Sequence, residues 1–408
     1  MSFTEIPTSK EHITVPWVQE VLSRYFSNQG NTEDTDDNSA QVVVKSLDGQ
    51  GTVGPGQGFL SNRIALVAMG TVGDTPMTTH LMVKMSTNDP DISQLVHDLR
   101  FDSIEVNYYN LALPALRSEV ERLEGTGSKV VRSGEEEGTA VPLPVPRCYH
   151  AAYDNSSGKS VLVLDNLQSK GFFTKKFSDG LLLEEIKLTV SALAKLHAIS
   201  YSAMQRGQLP STGFDWLFDA SEEAANSAIS QAFHDGVDQF ATAFPDQSEL
   251  VSLLRRLGKR VHGILGSETE GPLMVLCHGD CWANNIMFKV DDAGVPVDAM
   301  LVDWQFVCRA SPSSDLALLL LSSTDRSLRQ RHVDEILAHY HGVLTATIQK
   351  YGLALPGYSL DILRADYLAE RVLGLVQCMA SYDCFVGHQA SMERLRDSVE
   401  ELRESNLI

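Results

Sequence analysis

The chain has 408 residues, 43% of them hydrophobic, which is enough for two domains that each bury a core. Its formal net charge of −20 argues against binding to a nucleic-acid backbone or an anionic membrane surface, because both need concentrated Lys and Arg side chains. Six scattered cysteines predict free thiols in a reducing compartment, and the first residues lack the basic and apolar segments of a signal peptide. We therefore expect a cytoplasmic protein with no nucleic-acid or membrane partner.

The N-terminal part of the chain has the pattern of an antiparallel sheet. A polar, acidic stretch at 28–39 predicts a solvated loop. Three apolar runs separated by glycine-containing turns then predict β-strands, at 41–45, 64–69 and 81–85. Residues 91–109 carry apolar side chains at helical spacing, and 161–164 predicts a further strand. Residues 181–204 and most of the chain after Asp315 carry helical periodicity. These signals predict an α+β protein with a β-rich small lobe and a helical large lobe.

Two glycine patterns lie between the first strands. Gly49 to Gly54 fits the G-x-G-x-x-G spacing, but strands follow it, whereas a dinucleotide-binding fingerprint leads into a helix. The better phosphate-binding candidate is Gly56-Gln57-Gly58-Phe59-Leu60-Ser61, because glycines let backbone N–H groups approach phosphates and Ser61 adds a hydroxyl donor. A plain surface turn is the alternative interpretation of this segment.

Lys84 is a lone cation inside the apolar run 81–85. Burying an ammonium group without a partner costs several kcal/mol, so this lysine requires an anion. Glu105, on the helix that follows, is the candidate. A strand lysine paired with a helix glutamate is how kinases direct the ammonium at nucleotide phosphates. The alternative is that both side chains face solvent.

Asp280, Asn285 and Asp303 have the order and spacing of a phosphotransferase catalytic loop. Such a loop uses one Asp to orient a hydroxyl nucleophile, and an Asn and a second Asp to hold Mg²⁺ on the nucleotide phosphates. The apolar runs 286–288 and 299–302 flank a turn-rich tetrad, which predicts a β-hairpin. Pairing of its strands would bring Asn285 and Asp303 side by side, as an oxygen-ligated Mg²⁺ site requires.

Two other interpretations apply to the same loop. Cys277, His278 and Cys281 are possible zinc ligands, but a structural zinc site needs four ligands and no second Cys/His pair lies nearby at ligand spacing. In the second, His278 is a buried structural histidine and Asp280 a turn residue. The additional Asn285 and Asp303 favour the catalytic interpretation.

The chain resembles the ecdysteroid kinase-like family, a branch of the choline kinase and aminoglycoside phosphotransferase superfamily. The similarity extends over most of the chain in family order, and the catalytic loop with its Cys281-Trp282 and doubled Asn is its most specific part. The matching segments are 56–61, 83–85, Glu105 with Tyr109-Asn110 and Pro114, 163–167 with Gly171-Phe172, 193–198, 277–288, 302–305, Ser311-Pro312 and Asp315-Leu316.

The resemblance implies a bilobal protein-kinase-like fold, with an antiparallel N-terminal lobe that has one main helix and a mostly helical C-terminal lobe. It implies an ATP- and Mg²⁺-dependent kinase that phosphorylates a small-molecule hydroxyl. Asp280 would be the catalytic base, Asn285 and Asp303 the Mg²⁺ ligands, Lys84 the phosphate clamp and Glu105 its partner.

The resemblance also implies a hinge at 165–168 between a nucleotide-binding lobe, 1–164, and a catalytic lobe, 169–408. Asp165, Asn166 and Leu167 would present backbone groups to adenine. The family more often has Glu-Asp-Leu in the hinge and Asp-Phe-Gln at the metal site. Asp165-Asn166 and Trp304 depart from these patterns while leaving Asp303 in place.

The sequence identifies the phosphoryl-acceptor molecule less closely than it identifies the phosphotransfer reaction. Residues 364–384 carry mainly apolar side chains and, with Trp282, are candidate pocket walls, although helical spacing is equally typical of core. The resemblance to a family named for ecdysteroids implies an ecdysteroid or another hydrophobic alcohol as the preferred acceptor. Choline, ethanolamine and aminoglycosides remain alternatives, as do a nucleotide-binding pseudokinase scaffold and a non-catalytic small-molecule carrier.

Overall fold

The computed structural model describes residues 6–29, 41–52, 61–125, 143–212, 214–266 and 271–408. By internal contacts the chain divides into two units, one of Met1–Leu111 with Pro146–Gly171 and one of Ala112–Val145 with Phe172–Ile408. Compared with the division expected from sequence, residues 112–145 group with the second unit and 165–171 with the first.

The first unit is built on a five-stranded sheet in the order β1-β2-β3-β5-β4, with every neighbouring pair antiparallel. The three runs predicted as strands and the predicted strand at 161–164 all lie in this sheet, which confirms them. Its strands are β1 Val42–Thr52, β2 Ser61–Val72, β3 Thr75–Ser86, β4 Cys148–Asp154 and β5 Lys159–Asp165.

Helix α1, Val15–Gln29, covers the apolar face of this sheet. Its buried side chains repeat at helical spacing, because Trp17 and Val18 are followed one turn later by Val21 and Leu22. These residues share one core with strand residues such as Leu81. The elements predicted from the sequence did not include α1.

The helix predicted over 91–109 is interrupted. The structure has α2 at Pro90–Asp98 and α3 at Phe101–Asn107, and then a π turn at Tyr108–Ala112. Arg100 between them has φ 59°, a left-handed conformation that ends a helix. The break separates α3, which carries Glu105, from α2.

The second unit is mostly helical. Its helices are α4 Leu113–Gly125, α5 Leu183–Gln205, α6 Glu223–Ala243, α7 Ser248–Leu265, α8 Pro312–Ser323, α9 Arg326–Lys350, α10 Leu360–Ala380 and α11 Gln389–Glu404. Its short strands are β6 Phe172–Thr174, β7 Val275–Cys277, β8 Ile286–Val290, β9 Pro296–Leu301 and β10 Cys308–Ala310. The strands form a three-stranded sheet, β6-β8-β9, and a two-stranded sheet, β10-β7. The predicted α+β class, with an antiparallel N-terminal sheet and a helical remainder, is confirmed.

Among the helices of the described ranges, none has the length and hydropathy needed to cross a bilayer. The run 316–321, the most apolar in the chain, lies in α8 and is fully enclosed by the second unit. Its burial is explained by packing, since α8 contacts α10, α11 and β7.

Candidate active site

The catalytic loop runs from β7 to β8, and the predicted hairpin follows it. β8 and β9 pair antiparallel with Ile286 opposite Leu301, which confirms the hairpin. One step beyond that pair, the Val302 N–H donates to the Asn285 carbonyl at 3.0 Å. Asn285 and Asp303 therefore lie at neighbouring strand ends.

Asp280 lies within this loop with its carboxylate held in place. The Asn285 side-chain amide donates to Asp280 Oδ2 at 2.7 Å and to the Asp280 carbonyl at 3.0 Å. Burial, followed by the nearby charge of Asp303, raises the pKa of Asp280 to about 7, while the Asn285 and Trp282 side chains act in the opposite direction. The structure thus brings together the three residues that the sequence predicted as a set.

The backbone on either side of the catalytic set is closely packed and adopts unusual conformations. Gly279 has φ 79°, and a Cβ atom there would lie 2.0 Å from the Phe306 carbonyl oxygen. Asp303 also has a left-handed conformation, with φ 71°, which is uncommon for a non-glycine residue and costs about 1–3 kcal/mol. Such strain persists where the surrounding structure enforces it, so the neighbours of Asp303 hold it in this conformation.

Asp315, on the first turn of α8, fixes the start of the catalytic loop. Its carboxylate accepts the backbone N–H groups of His278, at 2.8 Å, and Gly279, at 2.9 Å. It also contacts His197 Nε2 at 3.1 Å, and the other ring nitrogen of His197 lies 2.7 Å from the Tyr340 hydroxyl. Burial would raise the pKa of Asp315, but hydrogen bonding and charge from the two histidines outweigh it, and the pKa is lowered.

The residues proposed as alternative zinc ligands have other partners. The Cys277 thiol donates to the Ser311 carbonyl at 3.3 Å, and His278 uses one ring nitrogen on the Val302 carbonyl and the other on the Asp280 N–H. Within the described ranges, one group has metal-ligating atoms close enough to share an ion, and it consists of His197, Cys277 and Asp315. Because hydrogen bonds already occupy His197 and Asp315, we interpret that group as structural.

Asn285 and Asp303 have the chemistry to hold Mg²⁺. The Asn285 NH₂ group is turned to Asp280, so its Oδ1 is the atom left to bind a cation, and Asp303 supplies a carboxylate at the adjoining strand end. Hard oxygen donors at two positions, with room for phosphate oxygens and water, are typical of nucleotide-bound Mg²⁺. The effect of Asp303 on the pKa of Asp280 also shows negative charge here that a cation would offset.

In the first unit, Lys84 on β3 and Glu105 on α3 form a buried ion pair. The ammonium lies 2.6 Å from Glu105 Oε2, and the two residues are 8% and 2% exposed. This geometry matches the predicted contact. Of the predicted glycine-rich loop, Gly56 and Gly58 lie outside the described residues, and Ser61 begins β2 opposite Ser86.

The model of the ecdysteroid kinase-like family matches residues 55–353, well over half of the chain. The chain belongs to the ecdysteroid kinase-like family. A search of curated proteins finds the Caenorhabditis elegans protein "Uncharacterized oxidoreductase dhs-27", 24% identical over 234 residues, which are 55% of this chain and 27% of that protein. The chain therefore spans about a quarter of that relative.

Solved structures align with this chain over nearly its whole length, but at low TM-score and low sequence identity. Choline kinase from Cryptosporidium parvum Iowa II aligns with a TM-score of 0.48 and 9% identity, over 97% of this chain and 98% of that one. An aminoglycoside 2'-phosphotransferase bound to GDP aligns with a TM-score of 0.37 and 14% identity, over 95% and 97%. The family assignment rests on the family match alone.

The predicted hinge residues of this kinase-like chain are held by their neighbours. The Asp165 carboxylate accepts from the Tyr149 hydroxyl at 2.8 Å and from Lys170 Nζ at 2.6 Å. Asn166 Oδ1 accepts the Gln168 N–H at 3.1 Å, which caps the 3-10 turn that begins at Leu167.

The predicted acceptor wall on α10 has two faces. The apolar side chains at 363, 367, 375, 376 and 379 are buried in the core, and Leu368 is 50% exposed. Gln377 instead faces the catalytic loop and donates to the Gly279 carbonyl at 3.3 Å. Glu370, two turns earlier on the same face, accepts from Ser314, and burial raises its pKa. The apolar pattern of α10 is thus explained mainly by core packing.

Sequence reasoning identified the catalytic set but not all of its supports. His197, Tyr340 and Gln377 were not assigned individual roles, although His197 stood out as a polar residue in the buried face of α5. A lone histidine among apolar helix residues requires a hydrogen-bond partner, and that signal was available from sequence. The identity of the partner was not, because Asp315 lies 118 positions away.

Proposed function

We propose that this protein is an ATP- and Mg²⁺-dependent kinase that transfers a phosphoryl group to a hydroxyl group of a small molecule. The observation that carries the proposal is the placement of Asn285 and Asp303 at two neighbouring strand ends, with Asp280 in the preceding loop hydrogen-bonded to Asn285. Membership of the ecdysteroid kinase-like family supports the same reaction class.

In this mechanism Asp280 accepts a hydrogen bond from the acceptor hydroxyl and orients its oxygen for attack on the phosphorus atom. Asn285 keeps the Asp280 carboxylate in one orientation, and Asp315 holds the backbone that leads into it. Asn285 and Asp303 would hold Mg²⁺, which would supply positive charge to offset that of the nucleotide phosphates. In the first unit, Glu105 holds the Lys84 ammonium, which would supply a positive charge for nucleotide phosphate oxygens.

The first acceptor class is the one in the family's name, an ecdysteroid or a comparable hydrophobic alcohol. A second class is favoured by a specific observation. Glu370 lies two turns from Gln377 on one face of α10, a separation of about 10 Å, and Asp366 lies one turn further along. These carboxyl groups suit a cationic amino alcohol, such as choline or ethanolamine, better than a sterol.

Matched substitutions test the assignment of roles. Asp280→Asn keeps the side-chain shape, and we expect kcat to fall by about 10³-fold with ATP affinity unchanged within twofold. Asp303→Asn should abolish turnover and remove the Mg²⁺ dependence of nucleotide binding measured by calorimetry. Asp292→Asn, at an exposed turn of the same hairpin, is the control and should match the parent. Equal effects of Asp280→Asn and Asp292→Asn would contradict the base assignment.

A pseudokinase remains the main competing function. All three positions of the catalytic set carry competent residues, which favours an enzyme. Nucleotide binding without transfer to any acceptor would favour the scaffold instead. Failure to bind nucleotide at all would favour a small-molecule carrier.

A further inference from the structure

Two cysteines lie opposite each other on the strands that frame the catalytic loop. β7 and β10 pair antiparallel, and Cys277 is in register with Cys308. Directly opposite residues of an antiparallel pair point to the same face, with Cα atoms about 4.5 or 5.5 Å apart. Both separations fall within the range of about 4.4–6.8 Å that a disulfide spans. The register therefore permits a bond between these two thiols.

The thiol of Cys277 is already directed at the partner strand. Its Sγ lies 3.7 Å from the Ala310 carbonyl and 3.3 Å from the Ser311 carbonyl, just beyond Cys308. Cys277 and Cys308 are not joined by a disulfide, and within the described strand pairs this is the one register that places two cysteines opposite each other. Cys277 is fully buried, whereas Cys308 is partly exposed.

The pair lies where a covalent link would act on the catalytic residues. Cys277 is three residues before Asp280, and Cys308 is five residues after Asp303. The Cys277 thiol donates to the carbonyl of Ser311, the cap of α8, and the same helix carries Asp315. A bond between Cys277 and Cys308 would remove that hydrogen bond and tie the two loops together.

We propose that Cys277 and Cys308 are a modification site that forms a reversible disulfide with a low-molecular-weight disulfide oxidant such as oxidised glutathione, and that this bond lowers turnover. The Cys308 thiolate attacks one sulfur of the oxidant, forms a mixed disulfide and releases one thiol. The Cys277 thiolate then attacks the Cys308 sulfur, closes the internal bond and releases the second thiol. Two electrons and two protons pass to the oxidant, and excess thiol reverses both steps.

The thiols are suited to slow, selective oxidation. Burial, and then the charge of Asp315, raises the pKa of both Cys277 and Cys308. Little thiolate is therefore present at neutral pH, and reaction depends on opening of the short β7–β10 pair. We expect oxidation over minutes to hours in place of the rapid response of an exposed, acidic thiol.

The expected effect on turnover, which rests on the proposed function, follows from the packing around Gly279. Because a Cβ there would lie 2.0 Å from the Phe306 carbonyl, the loop before Asp280 packs directly against the loop after Asp303, and a shift of β7 against β10 on disulfide formation would be transmitted to both. Misplacing reacting groups by about 1 Å can cost about 10²-fold in rate. We expect kcat to fall at least about tenfold on oxidation and to recover with dithiothreitol.

Peptide mapping tests the bond independently of activity. The full chain is incubated with oxidised glutathione, its remaining thiols are alkylated, and the digest is analysed without reduction by mass spectrometry. We expect a linked peptide containing Cys277 and Cys308, which is absent in Cys308→Ser and Cys308→Val and retained in the control Cys148→Ser. A glutathione adduct alone, a different pair, or no link would overturn the proposal.

Turnover of the same samples tests the consequence. Oxidised parent and oxidised Cys148→Ser should lose activity and regain it with dithiothreitol, whereas Cys308→Ser and Cys308→Val should not change. A mapped Cys277–Cys308 bond with unaltered kcat would refute the effect on turnover. Inactivity of the fully reduced parent would refute the proposed function, while the peptide map would still decide whether the bond forms.

Discussion

Asp315 offers a direct way to separate loop positioning from chemistry. Its carboxylate makes three contacts, with the N–H groups of His278 and Gly279 and with His197 Nε2, and it does not belong to the proposed metal or base set. Asp315→Asn replaces one of the two accepting oxygens with a donor. In Asp315, Oδ2 accepts from the His278 N–H and His197 Nε2, whereas Oδ1 accepts only from the Gly279 N–H. The new NH₂ group of Asn should therefore replace Oδ1, because that orientation loses one hydrogen bond and not two.

The magnitude follows from these contacts. A hydrogen bond to a charged group contributes about 1.5–3 kcal/mol, so losing the acceptor of the partly buried Gly279 N–H should cost about 2 kcal/mol of unfolding free energy. Asp315→Ala removes the acceptor for all three donors and should cost about 5 kcal/mol. If Gly279 moves by about 1 Å, kcat falls by about 10²-fold while the KM for ATP changes little.

The assay compares thermal unfolding midpoints and initial rates for the parent, Asp315→Asn and the exposed control Asp292→Asn. The Asn variant should unfold about 5 °C lower and show the loss in kcat. Because the pKa of Asp315 is lowered in the folded protein, its stabilisation is present above the unfolded value near 4 and is lost as pH falls through the folded pKa. If the unfolding midpoint and kcat of Asp315→Asn both match those of the parent, Asp315 does not fix the catalytic loop in place.

Three further predictions concern separate parts of the chain. Lys84→Met should cost about 3–5 kcal/mol by removing the cation 2.6 Å from buried Glu105, and adding Glu105→Leu should restore unfolding stability but not nucleotide affinity by calorimetry. Gly279→Ala should lower kcat at least about 10²-fold in the rate assay, whereas Gly294→Ala, also at positive φ but in open space, should not. Burial lowers the pKa of His150 to about 4, so the unfolded chain binds more protons and stability should decline as pH falls from about 6.5. His150→Phe should flatten that decline in pH-dependent unfolding, and an unchanged slope would contradict it.

Local signals in the sequence were sufficient for the strands and the hairpin. Continuous apolar runs such as 64–69 and 161–164 became buried strands, and the turn-rich tetrad between two such runs became the β8–β9 turn. Lys84 was recognisable because a cation inside an apolar strand requires a partner, and the nearest helix supplied one. These inferences used interactions close in sequence or a single strong physical requirement.

Other features depended on contacts that composition does not encode. The break at Arg100 reflects a backbone conformation that few non-glycine residues adopt, so periodicity alone predicted one longer helix. The contact of Gln377 with Gly279 joins residues 98 positions apart. The apolar pattern of α10 could not distinguish a pocket wall from core, and burial now favours core for most of its positions.

The most direct test of the central claim is transfer of isotopically labelled γ-phosphate from Mg²⁺-ATP to an acceptor. Purified protein would be incubated with ecdysteroids, other sterols, choline, ethanolamine and aminoglycosides, and products would be identified by mass spectrometry. The account predicts a labelled phosphomonoester from at least one hydroxyl compound, absent with Asp280→Asn and unchanged with Asp292→Asn. Mg²⁺-ATP binding with no labelled product from this panel or from compounds that co-purify with the protein would contradict it.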